Sequence, residues 1–276
     1  MPSDAVLIHP EWLRPDWDAP HVRAFMTTRA GGVSQGVHAS MNIGLSVQDC
    51  PEAVARNRWL VSQALGAPAV FLWQVHGAEV LSLQAGHALS GAAAPQVDAS
   101  ISTTPGLGVA IQAADCLPVL FAAPGGVAGA HAGWRGLAGG VLENTVSALC
   151  AAARCRPADI QAWMGACIGP QAFEVGADVL AAFGFTARDF EASRQGRPGD
   201  GPELVSDGEV FAYRANAAGE ARWLANLPLL ARRRLQALGL GRVSGGQWCT
   251  YNDPSQFFSY RRERLGGRMV AAIALI

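Results

Sequence analysis

Between residues 70 and 132 the chain runs through six apolar segments in succession: VFLWQV (70–75), VLSL (80–83), VDASIS (97–102), LGVAIQAAD (107–115), LPVLFA (117–122) and GVAGAHA (126–132). Gly, Ala and Pro separate them, and each reads as a strand. Consecutive strands predict a substantial mixed sheet. Because strand and helix do not strictly alternate, a doubly wound nucleotide-binding sheet is disfavoured and a layered α+β domain is expected.

The flanking segments complete that outline. HVRAFMTT (21–28) alternates apolar and polar residues and reads as a strand entering the turn-rich RAGGVSQG. A helix is predicted over 51–65, with Pro51 in its first turn and Gly66 as its stop. Further helices are predicted over 136–153, despite the Gly139-Gly140 pair, near 177–183, and over 227–239, the last capped by Asn226. IQAWMGACI (160–168), VSGGQWC (243–249) and GRMVAAIALI (267–276) are read as strands. The stretch 186–222, rich in Gly, Pro, Ser and charge, is expected to be a flexible surface excursion. No linker divides the chain, so a single domain over 1–276 is expected.

Composition narrows the chemistry. With 276 residues, half of them hydrophobic, the chain can bury a core without disulfide staples. A net charge of -1 offers no footprint for nucleic acid or an anionic membrane, which leaves small molecules as the expected partners. All 21 basic side chains are arginine. That excludes a Schiff-base lysine, a phosphate-loop lysine and a lysine general base, so any anion must be held by arginine or backbone. The six cysteines form no C-x-x-C pair, and VAAIALI (270–276) falls far short of the roughly 20 residues that cross a bilayer. No secretory signal opens the chain, and a cytoplasmic location with reduced thiols is expected.

Four clusters carry the unusual polar residues: Gln74 and His76 in WQVHG, Asp115 and Cys116 in ADCLP, His131 and Arg135 in AHAGWRG, and FFSYRR (257–262) with Arg264 and Arg268 beyond. His76, Cys116 and His131 end neighbouring strand-like runs, so one mouth can gather them. Three ligands plus a water is the catalytic zinc pattern, whereas a Cys-His pair without metal is a thiolate nucleophile with its base. Their spacing does not choose between the two. A helix starting near Gly136 would offer free N–H groups to an anion, with Arg135 adding a bidentate fork.

Taken together, TTRAGGVSQG with SMNIG, ARNR, WQVHG, ADCLPVLF, AHAGWRG, GPQAFEVG and CTYNDPSQFFSYRR resemble the bacterial laccase-domain proteins, long labelled polyphenol oxidases and later understood as purine nucleoside phosphorylases. The resemblance runs from about His21 to Ile276. It implies an α-β-β-α layered single domain and a zinc site of His76, Cys116 and His131. It implies phosphorolysis of adenosine, inosine and methylthioadenosine to free base and the corresponding ribose 1-phosphate, with deamination of adenosine at the same site. Zinc-bound water is then the expected deaminating nucleophile. Arg29, Arg135 and Arg261, the arginines inside matched motifs, are the expected phosphate ligands, and Asn42 and Gln74 the further substrate contacts. A monomer or homodimer is expected.

Two other activities compete. Cys116 can act as the nucleophile of an amide hydrolase working on peptidoglycan precursors, with His76 or His131 as base. A copper-dependent polyphenol oxidase is disfavoured because a multicopper centre needs more histidines than the six present. A pocket that merely binds a nucleotide and reports to a partner is a third reading, weakened by the titratable residues at the strand ends.

Overall fold

In the run MVAAIAL every second side chain faces a different neighbour, and all of them are buried. Met269, Ala271 and Ile273 enter one apolar core while Val270, Ala272 and Ala274 enter another. A strand covered on both faces reads as a continuous apolar run, which is why this segment lacks polar alternation. The computed structural model describes residues 7–89, 93–190 and 208–276.

Thirteen strands are present among these residues: β1 (Val22–Met26), β2 (Ala69–Phe71), β3 (Val80–Ser82), β4 (Ala99–Ser102), β5 (Gly108–Ala113), β6 (Leu117–Ala123), β7 (Gly126–Ala132), β8 (Gln161–Met164), β9 (Glu174–Val175), β10 (Phe211–Ala215), β11 (Ala221–Ala225), β12 (Arg242–Gly245) and β13 (Met269–Leu275). The α-helices are α1 (Pro51–Leu65), α2 (Trp134–Ala138), α3 (Val141–Ala153), α4 (Ala177–Ala182) and α5 (Leu227–Ala237). One sheet has the order β1-β13-β5-β2, a second β12-β8-β6-β7-β4-β3, and a small third β10-β11-β9.

The two large sheets face each other across Met26, Val109, Ile111, Leu120, Trp163 and Ile273. α1 covers the outer face of the first through Val61, Ala64 and Leu65, packed with Phe25 and Val270. α3 and α5 cover the outer face of the second, Leu142, Val146 and Leu149 meeting Val119, Phe121 and Ala130, with Leu230 and Leu235 alongside. The order of layers is therefore helix, sheet, sheet, helix. This is the α+β architecture expected from the strand run.

Several boundaries differ from the sequence reading. The expected 136–153 helix is two helices, because Gly140 at φ 91° turns the chain into a left-handed conformation that ends one and opens the other. The 70–75 strand stops at Phe71, since residues 73–77 peel away from the sheet. The 160–168 strand ends at Met164 and the 243–249 strand at Gly245; beyond both, Cys167 and Cys249 meet in a single bridge. Of the expected excursion, 191–207 lies outside the described residues, but 211–222 is ordered: Phe211 to Ala215 pair antiparallel with Ala221 to Ala225, and Phe211 and Trp223 join the outer core. Asn226 caps α5 as expected, its side chain accepting from the Leu229 N–H at 3.1 Å. No helix among the described residues is long and apolar enough to cross a membrane.

Candidate functional site

The β6–β7 register sets Pro118 opposite His131 and Leu117 opposite Ala132. Cys116 lies one step past the last pair, facing Gly133 on the side of the sheet that His131 shares. Opposite strand residues point to the same face, so register alone brings this sulfur and this imidazole together. His76 arrives from the loop after β2, where φ 62° turns it toward them.

Asp98, fully buried at the entrance to β4, holds both histidines in place. Its carboxylate accepts the backbone N–H groups of Val75, His76 and Gly77 at 3.0, 2.9 and 2.7 Å. The same carboxylate accepts from His131 Nδ1 at 2.7 Å. A carboxylate only accepts, so that contact puts a proton on Nδ1 and leaves Nε2 as the nitrogen that faces the Cys116 sulfur and, once deprotonated, can ligate a metal. Burial pushes the Asp98 carboxyl up, but the hydrogen bonds from His131, Gly77 and His76 outweigh it and hold it below the usual carboxylate range.

Cys116 Sγ lies 3.9 Å from His76 Nε2, and the donor atoms of His76, Cys116 and His131 all fall within 4.8 Å of one another. Burial alone would raise the Cys116 thiol; His131 and His76 overcome it and bring it down to about 6. Burial would likewise lower His131, yet Cys116 and Asp98 lift it to about 9. Gly133 keeps the space clear, since a Cβ there would sit 2.9 Å from Cys116 Sγ and 3.2 Å from His76 Cδ2. Two imidazole nitrogens and a thiolate, with one ring oriented by a buried carboxylate, suit a borderline-soft ion such as zinc with a coordination position left open. The three residues can hold a metal.

The triad lines a cavity of about 630 Å³, within the range of about 300–1,000 Å³ typical of small-molecule sites. Its wall includes Trp73, Gln74, Asp115, Trp134, Arg135, Phe173, Tyr260, Arg261 and Arg268. Arg135 stacks on Trp134, 4.3 Å from the ring centroid, and Arg261 donates twice to the Glu174 carbonyl at 3.2 Å. Asp115, at φ 100°, ties the C-terminal loop to the centre by accepting from Thr250 Oγ1 and from the Arg261 N–H, each at 2.6 Å.

Other expected contacts lie elsewhere or serve other partners. Arg29 is outside the cavity lining: its guanidinium donates to the Ala39 and Pro254 carbonyls and packs over Phe258, fastening one loop to another. Asn42 is fully buried outside the lining and bonds Gly44, Asp49 and Arg268. Gln74 lines the cavity, but both ends of its amide bond the Gln112 backbone, extending the sheet past β2. Asp98 was missed because VDASIS reads only as a strand. The available signal was a carboxylate opening an otherwise apolar or small-residue run, since a buried charge needs partners.

Comparison with known proteins places these features in context. The chain is 42% identical over 268 residues to a Pseudomonas aeruginosa protein named purine nucleoside phosphorylase, covering 96% of this chain and 98% of that one. It is 42% identical over 274 residues to the Escherichia coli protein YfiH, which carries the same name, covering 98% and 99%. A crystal structure of a Neisseria meningitidis protein superposes with a TM-score of 0.78 at 41% identity, covering 96% of this chain and 99% of that one. Residues 23–276, which include all three donor residues and the arginine wall, match the family model described as multi-copper polyphenol oxidoreductase laccase, and the chain belongs to that family.

Proposed function

We propose that the chain is a zinc-dependent purine nucleoside phosphorylase. It splits adenosine, inosine and methylthioadenosine with phosphate into the free base and ribose 1-phosphate or its methylthio analogue, and it deaminates adenosine in the same cavity. The observation that carries the reading is the joint presence, in one cavity, of a His-Cys-His donor set and an arginine wall. The names of the relatives support it.

Phosphorolysis forms a bond from a phosphate oxygen to ribose C1′ while the bond from C1′ to the purine nitrogen breaks, and the base leaves with a proton. Deamination adds water at purine C6 and releases ammonia. His76, Cys116 and His131 would hold zinc, which when bound would supply the Lewis-acid charge that brings the pKa of water toward neutrality. Asp98 keeps the His131 proton on Nδ1, so the ring presents Nε2 to the cavity. Trp73 and Tyr260, 57% and 48% exposed, offer aromatic faces to a purine, and Arg135 and Arg261 supply positive charge.

The geometry argues against a multicopper oxidase. Among the described residues His76, Cys116 and His131 form one ligand group, while His21 and His38 bond backbone carbonyls away from it. The amide-hydrolase reading rests on the lowered Cys116 thiol beside His131. One experiment separates them. Purified, metal-assayed protein is incubated with adenosine, inosine and methylthioadenosine, with and without phosphate, and the products are identified by mass spectrometry. Phosphate-dependent release of base with ribose 1-phosphate is expected, with phosphate-independent inosine from adenosine. No turnover of any nucleoside by protein that has been supplied with zinc would overturn the reading in favour of a Cys116 hydrolase.

A further inference from the structure

Three arginines line the cavity, and their surroundings differ. Arg135 and Arg261 are exposed, the one stacked on Trp134 and the other resting on the Glu174 carbonyl. Arg268 is partly buried, its guanidinium 5.5 Å from the Tyr260 ring centroid, with Nη1 donating to the Gly266 and Gly267 carbonyls at 2.8 and 3.1 Å. Among the described residues no carboxylate pairs with it. Asp115, Tyr260 and Cys116 are the acidic groups that act on it, and both oxygens of Asp115 already accept from Thr250 and the Arg261 N–H. Burial pulls the Arg268 guanidinium below its ordinary pKa. A partly buried cation whose neighbouring carboxylate is already committed to other donors is costly until an anion completes it.

The chain invests in holding Arg268 at that wall. Asn42 Oδ1 accepts both the Gly44 N–H at 2.9 Å and the Arg268 N–H at 2.8 Å, while the Ile43 N–H reaches the Arg268 carbonyl at 3.1 Å. A Cβ on Gly44 would lie 2.7 Å from Arg268 Cγ, so the missing side chain lets the stem run past the loop. Residues 44–47 then continue along the same cavity wall.

We propose that Arg268, fastened by Asn42 and given room by Gly44, anchors an oxyanion subsite that takes the phosphate co-substrate. The planar fork of its guanidinium suits two phosphate oxygens. This rests on the phosphorylase reading, and it assigns Asn42 a positioning role through Arg268 rather than direct contact with substrate.

The test is binding of inorganic phosphate to the purified full chain by titration calorimetry, together with the KM for phosphate and for nucleoside. Arg268→Gln is expected to weaken phosphate binding and raise the phosphate KM by about tenfold or more, with the nucleoside KM moving by less than about threefold. Arg268→Lys should recover part of the loss. Gly44→Ala, which keeps the charge but crowds the stem, should weaken phosphate in the same direction. Metal content and thermal midpoint are read in parallel to show that each variant is folded. Unchanged phosphate binding in folded Arg268→Gln, or loss of binding in Arg135→Gln or Arg261→Gln alone, overturns the proposal. Should the wild type cleave no nucleoside, calorimetry judges the subsite by itself: phosphate binding lost with Arg268 supports it, and binding unaffected by Arg268, or absent from the wild type, overturns it.

Discussion

His76 adopts a left-handed backbone at φ 62°, which non-glycine residues seldom do, because the turn aims three successive N–H groups at one carboxylate. Asp98 thereby links the His76 loop to the His131 ring, and replacing it disturbs two ligands at once. Asp98→Asn retains the size but loses the charge and turns an amide NH₂ toward groups that themselves donate. Zinc affinity, measured by competition with a chromogenic chelator, should fall by about 10–100-fold. Affinity unchanged from wild type would mean that the two histidines orient themselves without Asp98.

At the scale of elements, caps and breaks matter more than helix propensity. Gly139-Gly140 stands inside what reads as one amphipathic helix, and the left-handed Gly140 divides it, so that α2 follows the His131 strand directly while α3 lies along the sheet. At the start of α5 the Asn226 side chain accepts from an otherwise orphaned Leu229 N–H. Asn226→Ala should cost about 1 kcal/mol, seen as a lower urea midpoint with an unchanged slope. No loss of stability would show that the packing of Leu227 and Leu230 alone sets this helix start.

At the scale of the molecule, the donor set is drawn from three parts of the chain: the loop after β2, the start of β6 and the end of β7. A metal bound there bridges elements that must already be folded, so it stabilises the native state in proportion to occupancy. At a free zinc concentration about 100 times the dissociation constant the gain is about 2.7 kcal/mol. For a chain of this length that corresponds to a rise of roughly 5–10 °C in the thermal midpoint. Scanning calorimetry with zinc and with a chelator should show the difference in the wild type and its absence in Cys116→Ala. An equal shift in both would place the metal elsewhere.

The layered α+β architecture was legible in the sequence because periodicity is local. Strand runs without intervening helices, apolar spacing over 51–65 and an Asn-Leu-Pro helix start each declare an element within a few residues. His76, Cys116 and His131 were legible as candidates because they end such runs. Their convergence, the tautomer of His131 and the roles of Asp98 and Arg268 were decided by tertiary structure. Those depend on which strands pair and in what register, bringing together residues 15 to 226 positions apart. Arg29 and Asn42 make the same point from the other side. Their motifs mark them for chemistry, yet Arg29 spends its hydrogen bonds on backbone carbonyls and Asn42 on the loop and backbone that hold Arg268. A motif records residue identity, and only packing determines whether a polar group faces a cavity or its own backbone.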